Sequence, residues 1–405
     1  MKNAINRRSL LAGMGTAATA GVAGCLSSDD VEPDARVGVL QSITGDLSSV
    51  GGPIRDGAIL PQAQLQDAGA EFELDVRVED TETDPEAGIT AAGSLVDAGY
   101  PAINGALSSG VTIAVAEDVL FPNDVVGISP ASTTPSITEM DGDYLLRTCP
   151  SDAWQGEVMA EIAVEERGVD TISTLYLNDD YGQGLADTFV ESFEDLGGEI
   201  YDELAFESEQ PSYDSELETA LASEPEMLLV VGYPDSGEQI FRDFYSEFDD
   251  GTEILVPDGL IDNDLPGAVD NPLENVVGTA PSGAGPGHDT FTDLYEAEYD
   301  SSPSVFNAEA YDATAVLLLA NVAADELTGS AVSDQIREVA NPDGEVVTPD
   351  TLKEGLEMAA AGESVQYQGA SGDIVFDENG DLEAVVYDIY EYDMDGYTVV
   401  DGYEF

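Results

Sequence analysis

The sequence predicts an α/β protein in which two doubly wound parallel-sheet lobes are joined by a three-segment hinge. Short apolar, β-branched runs alternate with helical patterns over residues 36–128, and the same alternation restarts at residue 154. Strands that alternate with helices in this way are typical of parallel sheets. About 370 residues follow the N-terminal segment, which is enough for two domains.

The first series of elements has the order βαβαβαβ. Pro85 at a helix start and Gly99 near its stop set the bounds of the second helix. The predicted strands span 36–40, 72–78, 101–105 and 125–128, and the predicted helices span 57–68, 84–98 and 111–120.

The second series begins with an amphipathic helix over 154–167. It continues with strands at 171–177, 199–206, 227–231 and 253–257 and with helices at 184–196, 215–222 and 236–248. Two later helices, 291–298 and 308–324, are assigned to the first lobe, so the chain is expected to cross between lobes near 279–283 and again near 384–390. The expected division is residues 35–148 plus 282–388 for lobe 1 and 149–281 plus 389–405 for lobe 2.

The N-terminal 25 residues have the features of an export signal. An Arg7-Arg8 pair precedes a weakly apolar stretch of about 16 residues, which is shorter than the roughly 20 residues needed to span a bilayer. Small residues directly before Cys25 resemble the lipobox of exported lipoproteins, in which that cysteine is lipidated. We therefore expect a twin-arginine signal over 1–25, a polar linker over 26–34, and a chain anchored by lipid on the extracellular face of the membrane.

Charge limits the partners of this chain. It has 84 acidic residues against 11 basic ones, a net charge of −73, and the acids are spread along the whole sequence. At about 1 M salt the Debye length falls to roughly 3 Å, so such a surface suits a salt-rich medium. A disordered acidic protein is the alternative, but 42% hydrophobic residues argue against it. The few scattered basic residues cannot form a nucleic-acid-binding patch.

Enzyme and metal-site motifs are absent from the sequence. Lipidation of Cys25 would leave Cys149 without a second cysteine, so no disulfide is expected. His288, the one histidine, is expected in a surface loop, so no zinc-type site is expected either. The chain lacks a nucleophile elbow, a metalloprotease helix motif and a Walker loop. We expect no cofactor, no metal and no enzymatic activity, although abundant carboxylates leave a glycosidase-type acid pair open.

Polar loops follow the predicted strands, where ligands bind in open α/β sheets. In the first lobe these loops are 106–110 (ALSSG) and 129–135 (SPASTTP), which carry hydroxyl groups suited to an anion. In the second lobe they are 178–182 (NDDYG), 232–234 (GYP) and 257–259 (PDG), which carry two tyrosines and a carboxylate. Ser and Thr before a helix are also ordinary N-caps, the tyrosines could be core residues, and the acid could belong to the acidic surface. An anion site opposite an acid suits a zwitterion.

Several segments, in order, resemble type I periplasmic substrate-binding proteins. They are residues 39–45 (VLQSITG), 128–133 (ISPAST), 146–152 (LRTCPSD), 178–184 (NDDYGQG), 231–234 (VGYP) and a turn at 377–381 (DENGD). Within that group the chain is similar to the leucine/isoleucine/valine receptors of ABC transporters. It resembles a haloarchaeal-type lipoprotein of this family. The resemblance implies the type I periplasmic-binding-protein fold, an amino acid as ligand, and delivery to ABC permease subunits by closure of the lobes.

The resemblance also implies a set of ligand-binding residues. Ser109 and Thr133 would hold the ligand carboxylate, the Ala131 carbonyl and Asp258 would hold the α-ammonium, and two tyrosines would close over the ligand, Tyr181 and Tyr233. The first loop carries Ser48-Ser49-Val50-Gly51 where the leucine receptors have an aromatic residue, so the preferred side chain is left open. Binding of urea or short amides and a sensory role on the same fold remain alternatives.

Overall fold

The first sheet is built by the N-terminal part of the chain. The computed structural model describes residues 33–248, 251–341 and 343–404, so the predicted export signal and Cys25 lie outside the described residues. Five parallel strands run in the order β2-β1-β3-β4-β5. They are β1 (Ala35–Gln41), β2 (Leu74–Asp80), β3 (Ala102–Gly105), β4 (Val126–Ser129) and β5 (Leu145–Arg147).

The second sheet contains seven strands in the order β14-β13-β10-β9-β8-β6-β7. Five are parallel: β6 (Thr171–Leu177), β7 (Glu199–Phe206), β8 (Met227–Val231), β9 (Glu253–Val256) and β10 (Val276–Pro281). An antiparallel hairpin of β13 (Val386–Asp393) and β14 (Gly396–Glu404) extends the sheet beside β10. A short parallel pair, β11 (Glu345–Val347) and β12 (Val365–Tyr367), is separate. Sequence patterns predicted neither that hairpin nor this pair.

Helices cover both sheets. They are α1 (Ser48–Asp67), α2 (Pro85–Asp97), α3 (Ser109–Val115), α4 (Asp152–Glu161), α5 (Asp180–Asp195), α6 (Asp214–Ala220), α7 (Pro234–Asp243), α8 (Leu265–Val269), α9 (His288–Tyr299), α10 (Asn307–Ala323), α11 (Gly329–Ala340) and α12 (Leu352–Ala360). The predicted start of the first helix at residue 57 is wrong by nine residues, because Pro53 and two glycines obscured its first turns. His288 begins α9 and is half-buried, rather than lying in a surface loop.

Both faces of the first sheet are buried. Neighbouring residues of β3 and β5 belong to different apolar clusters: Ala102 and Leu146 pack with α10, whereas Ile103 and Leu145 pack with α2 and α3. Successive strand residues point to opposite faces, so continuous apolar runs are expected where helices lie on both sides. The structure confirms the predicted fold class, two helix-covered parallel sheets. The residue bounds given above for the two lobes stay a prediction.

The chain passes between the two sheets three times. It leaves the first sheet after β5 and enters the second at β6, and after β10 it forms α9 and α10, which pack on the first sheet. It rejoins the second sheet at β13. In the first sheet β1 lies between β2 and β3, and in the second sheet β6 lies between β7 and β8. The direction in which strands are added therefore reverses at β1/β3 and at β6/β8. Ligands of doubly wound sheets bind at such reversal points.

Acidic residues dominate the surface, and the few cations are paired. Each Arg and Lys in the described part of the chain lies within 4.0 Å of a carboxylate oxygen. Seven of these pairs are at least partly exposed and contribute little to stability, since exposed ion pairs are worth about 0–1 kcal/mol. Arg147, paired with Asp381, is the one whose side chain is fully buried.

Candidate ligand-binding site

Loops after β3 and β4 form the first side of the site. Ser108 and Ser109 start α3, and the Ser108 side chain makes no N-cap hydrogen bond, so capping is not its role. Gly105 at the end of β3 has φ +134°, and a Cβ there would lie 2.1 Å from the Leu40 carbonyl oxygen. Only glycine allows this approach, which brings the loop after β3 beside β1.

Serine hydroxyls hold the loop that follows β4 in one conformation. The Ser129 hydroxyl donates to the Ala106 carbonyl at 2.6 Å and accepts from the Ser132 backbone N–H at 3.0 Å. The Ser132 hydroxyl in turn lies 2.6 Å from the Thr112 hydroxyl of α3. These bonds fix Ala131 and its neighbours relative to the loop after β3.

Arg147 supports the same loop from behind. Its Nη1 donates to three consecutive carbonyls, those of Ser132, Thr133 and Thr134, at 3.2, 2.8 and 2.9 Å. Its Nε donates to Asp381 at 2.6 Å, and its Nη2 donates to the Thr138 hydroxyl at 2.8 Å. Asp381 lies in the turn over 377–381, which closes with a hydrogen bond from Asp377 to Asp381. The guanidinium therefore ties the loop after β4 to that turn.

Two stacked tyrosines form part of the second side. Tyr181 in the first turn of α5 and Tyr233 after β8 have ring centroids 5.4 Å apart and planes 8° from parallel. The Tyr233 hydroxyl donates to Asp179 at 3.0 Å, and the Tyr181 hydroxyl accepts from the Gly259 N–H at 3.2 Å. Burial raises the pKa of both phenols, so they remain protonated donors.

Asp258, after β9, is buried beside these tyrosines with only 5% of its surface exposed. It is therefore not part of the acidic surface. Its Oδ1 has no hydrogen-bond partner, and burial raises the pKa of its carboxyl to about 7. A Cβ on the adjacent Gly259 would lie 2.4 Å from the Gly232 carbonyl and 2.7 Å from the Tyr181 hydroxyl. Gly259 thus lets the loop after β9 approach the tyrosine pair.

A cavity of about 420 Å³, including the part that opens to solvent, lies between the two sides. Five of the six predicted binding residues line it, and Thr133 does not. Thr133 is nevertheless buried, and its hydroxyl has no hydrogen-bond partner. The cavity wall consists of Leu47, Val50, Ile54, Leu107, Ser109, Ala131, Tyr181, Tyr233, Asp258, Gly259, Val305 and Phe306.

Both sides of the site contribute to this wall. Ser109 and Ala131 belong to the first side, whereas Tyr181, Tyr233 and Asp258 belong to the second. The remaining wall is mainly aliphatic and aromatic. Such a mixture of an apolar wall with a few polar groups is characteristic of small-molecule sites.

Comparisons with known proteins identify the family. Residues 34–387 match the family model described as periplasmic binding protein. The chain belongs to the periplasmic binding protein family. It is 26% identical over 395 residues to Leu/Ile/Val-binding protein homolog 3 of Brucella melitensis, covering 95% of this chain and 97% of that one. It is 27% identical over 303 residues to the chemotactic signal transduction system substrate-binding protein BasB of Halobacterium salinarum, covering 73% and 71%.

A solved structure agrees with this assignment. The leucine binding protein LivK of Thermotoga maritima superposes with a TM-score of 0.77 at 24% identity, covering 91% of this chain and 98% of that one. The predicted type I periplasmic-binding-protein fold is thereby confirmed. The prediction that the chain is a solute-binding protein and not an enzyme agrees with its relatives, which are named as binding proteins.

Some residues of the periplasmic binding protein site were missed by sequence reasoning. Leu47, Val50 and Ile54 are spaced as one face of a helix, a signal that an earlier helix start would have revealed. Phe306 lies about 250 residues after these three along the chain. No local sequence pattern indicates that it reaches the site. Asp152 and Gln155, two buried side chains that interact with Asp258, were also missed.

Over residues 33–248, 251–341 and 343–404, no group of three or more His, Cys, Asp or Glu side chains is arranged to hold a metal ion. Within the same ranges no helix has the length and apolar character needed to cross a bilayer.

Proposed function

We propose that this periplasmic binding protein captures an α-amino acid with an aliphatic side chain and delivers it to an ABC permease. The observation that carries the proposal is the distribution of groups around the cavity. The Ser109 hydroxyl lies on one side, the buried Asp258 carboxylate and two tyrosines lie on the other, and apolar side chains line most of the rest. A zwitterion with an apolar side chain complements all three.

The polar groups have complementary roles in this proposal. Ser109 donates to the ligand carboxylate, and Thr133 donates from just behind the wall. The Ala131 carbonyl and Asp258 accept from the ligand ammonium. Hydrogen bonds to charged groups are worth about 1.5–3 kcal/mol, so these contacts supply most of the affinity for the amino-acid head group.

The apolar wall selects the ligand side chain. Leu47, Val50 and Ile54 present aliphatic surface, and Phe306 supplies an aromatic face that the first loop lacks. Burying apolar area contributes about 25 cal/mol per Å², so a branched aliphatic side chain gains affinity over alanine. A charged side chain would be left unpaired among these residues, which is costly.

Ligand capture proceeds by closure of the two lobes over the bound amino acid. Contacts between the sides support this step: the Thr134 hydroxyl donates to the Asp180 carbonyl at 3.0 Å, and the Tyr233 side chain interacts with that of Ser108. Three chain crossings form the hinge between lobes 35–148 plus 282–388 and 149–281 plus 389–405. The permease recognises the closed form.

Export and anchoring complete the proposal. The twin-arginine signal directs the chain across the membrane, and a lipid on Cys25 keeps it at the extracellular face near its permease. A single acyl chain anchors a protein to a membrane only marginally. Contact between the receptor and its permease would therefore add to the retention of the receptor at the membrane. The acidic surface adapts the protein to high salt, which screens its self-repulsion.

A calorimetric titration of the protein in about 2–4 M salt, a range that screens its charge, tests the proposal. The panel contains leucine, isoleucine and valine, with glutamate, lysine, urea and acetamide as controls. We expect binding by the aliphatic amino acids and at least tenfold weaker binding by every control. Tight binding of urea or acetamide instead would support the amide-binding alternative.

A sensory role is the second candidate. It is favoured by the similarity to a relative that is named as a substrate-binding protein of a chemotactic signal transduction system. The two roles share the ligand site and differ in the membrane partner. Deletion of the gene distinguishes them: loss of labelled leucine uptake supports transport, whereas intact uptake with lost chemotaxis towards leucine supports sensing.

A further inference from the structure

Asp152, the first residue of α4, is the most unusual buried group near the proposed site. Its side chain is fully buried, and among the described residues neither carboxylate oxygen has a partner with hydrogen-bond geometry. Three other acceptors around it are equally buried and unpartnered: Oγ1 of Thr133, Oε1 of Gln155 and Oδ1 of Asp258. Buried polar groups are normally paired, so this cluster needs an explanation.

The nearest cation cannot neutralise Asp152 directly. Each nitrogen of the Arg147 guanidinium already donates to Asp381, to Thr138 or to the carbonyls of the loop after β4. An ionised carboxylate without a paired cation is strongly disfavoured in a buried site, and such groups take up a proton instead. Burial and the neighbouring charge of Asp258 raise the pKa of Asp152 well above its usual range, although Thr133 and Arg147 oppose them.

We propose that Asp152 remains a neutral acid and donates its proton to the Thr133 hydroxyl oxygen, which commits the Thr133 hydrogen to the ligand carboxylate. The Asp152 backbone N–H already donates to the Thr133 carbonyl at 2.8 Å, so the two residues are held together. A hydroxyl can accept one hydrogen bond and donate another, which permits this relay. Asp152 is thus a positioning residue that selects ligands carrying a carboxylate. The inference rests on the function proposed above.

Two carboxyls in one site then have different roles. Asp258 supplies the negative charge for the ligand ammonium, and a second negative charge from Asp152 would repel the ligand carboxylate. Environments that separate the pKa values of neighbouring acids commonly separate their roles. The titratable groups around Asp152 and Asp258 are Arg147, Cys149, Asp179, Tyr181, Tyr233, Tyr387 and Tyr390, and among them Arg147 is the only cation.

Substitutions at Asp152 test the relay by calorimetric titration with leucine at pH 7.5. Asp152→Asn keeps a donor without a charge, and we expect it to bind within threefold of the unsubstituted protein. Asp152→Leu removes the donor, and we expect at least tenfold weaker binding. Asp152→Leu should have no further effect in a Thr133→Val background, because the two residues act in one relay. Rescue by Asn but not by Leu separates positioning from packing.

An infrared difference spectrum gives a second readout that does not depend on the Leu variant folding. The empty protein at pH 7.5 minus its Asp152→Asn variant should contain the carbonyl band of a protonated carboxyl. Absence of that band, or binding by Asp152→Asn at least tenfold weaker, would overturn the inference. If the unsubstituted protein bound no amino acid, the proposed function would fail, while the infrared band would still report on Asp152.

Discussion

Two buried centres of ionisable side chains lie close together on this chain and differ in how their hydrogen bonds are satisfied. At the Arg147 centre every guanidinium nitrogen has an acceptor. At the acidic centre of Asp152 and Asp258, three of the four carboxylate oxygens have no hydrogen-bond partner within the part of the chain that the structure describes. A buried group whose hydrogen bonds are all made within the protein stabilises the fold. Buried polar atoms without a partner in the protein are available to bind a ligand. We therefore propose a structural role for the first centre and a ligand-binding role for the second.

The largest effect is expected at the arginine. Arg147→Met would remove the cation that pairs with Asp381 and the guanidinium hydrogen bonds to three loop carbonyls in a buried region. Removal of one partner of a buried ion pair typically costs about 3–5 kcal/mol. Chemical denaturation should report a loss of that size, with Arg242→Met, an exposed pair on α7, as the control that changes stability by less than about 1 kcal/mol. Equal losses in both variants would refute the structural role of Arg147.

Asp258→Asn should have the next largest effect, and on affinity rather than stability. It removes the negative charge that pairs with the ligand ammonium, and we expect at least tenfold weaker binding of leucine, about 1.4 kcal/mol or more. The melting temperature should not fall, because the variant replaces a buried carboxyl without a cation partner. Asp264→Asn, an exposed carboxyl in the same loop, is the matched control. Unchanged affinity in Asp258→Asn would remove Asp258 from the site.

The pH dependence of leucine binding tests the proposed role of the Asp258 carboxylate in a second way. Burial raises the pKa of Asp258 to about 7, and a bound ammonium favours its ionised form. Affinity for leucine should therefore fall as the pH drops below 7 and become constant above it, with about tenfold weaker binding at pH 6 than at pH 8. Titrations across that range in the Asp258→Asn variant should be flat. A pH-independent affinity in the unsubstituted protein would contradict this role.

Tyr233→Phe should have the smallest effect of the series. It keeps the ring stack with Tyr181 but removes the hydrogen bond to Asp179. A typical hydrogen bond contributes about 1 kcal/mol, so leucine binding should weaken roughly fivefold. Tyr201→Phe, an exposed position on β7, provides the control. A loss as large as that of Asp258→Asn would mean that the tyrosine hydroxyl contacts the ligand charge directly.

Sequence patterns predicted four of the five parallel strands in each sheet, because their apolar runs and the neighbouring helices are local signals. β5 and β10 have no counterpart among the predicted strands. The patterns also indicated the polar loops after β3, β4, β8 and β9, since ligands of doubly wound sheets bind at strand ends. The C-terminal hairpin was missed because exposed residues such as Val399 and Val400 give it no regular alternation.

Within the site, the residues that were missed depend on tertiary structure. Asp152 lies in a segment that resembles the family, but neither its burial nor its lack of partners can be read from an acidic sequence. Phe306 reaches the cavity only because α10 packs on the first sheet. Phe306 and the burial of Asp152 are therefore evident only in the folded chain, whereas the polar loops and the helical spacing of Leu47, Val50 and Ile54 are present in the sequence.

The central claim is that the site binds both charges of an α-amino acid. Its most direct test is calorimetric titration in about 2–4 M salt, chosen to screen the surface charge, with leucine and two analogues that each lack one charge. The analogues are 3-methylbutylamine, which lacks the carboxylate, and 4-methylpentanoate, which lacks the ammonium. We predict that leucine binds and that each analogue binds at least tenfold more weakly. Binding of either analogue as tightly as leucine would contradict the claim.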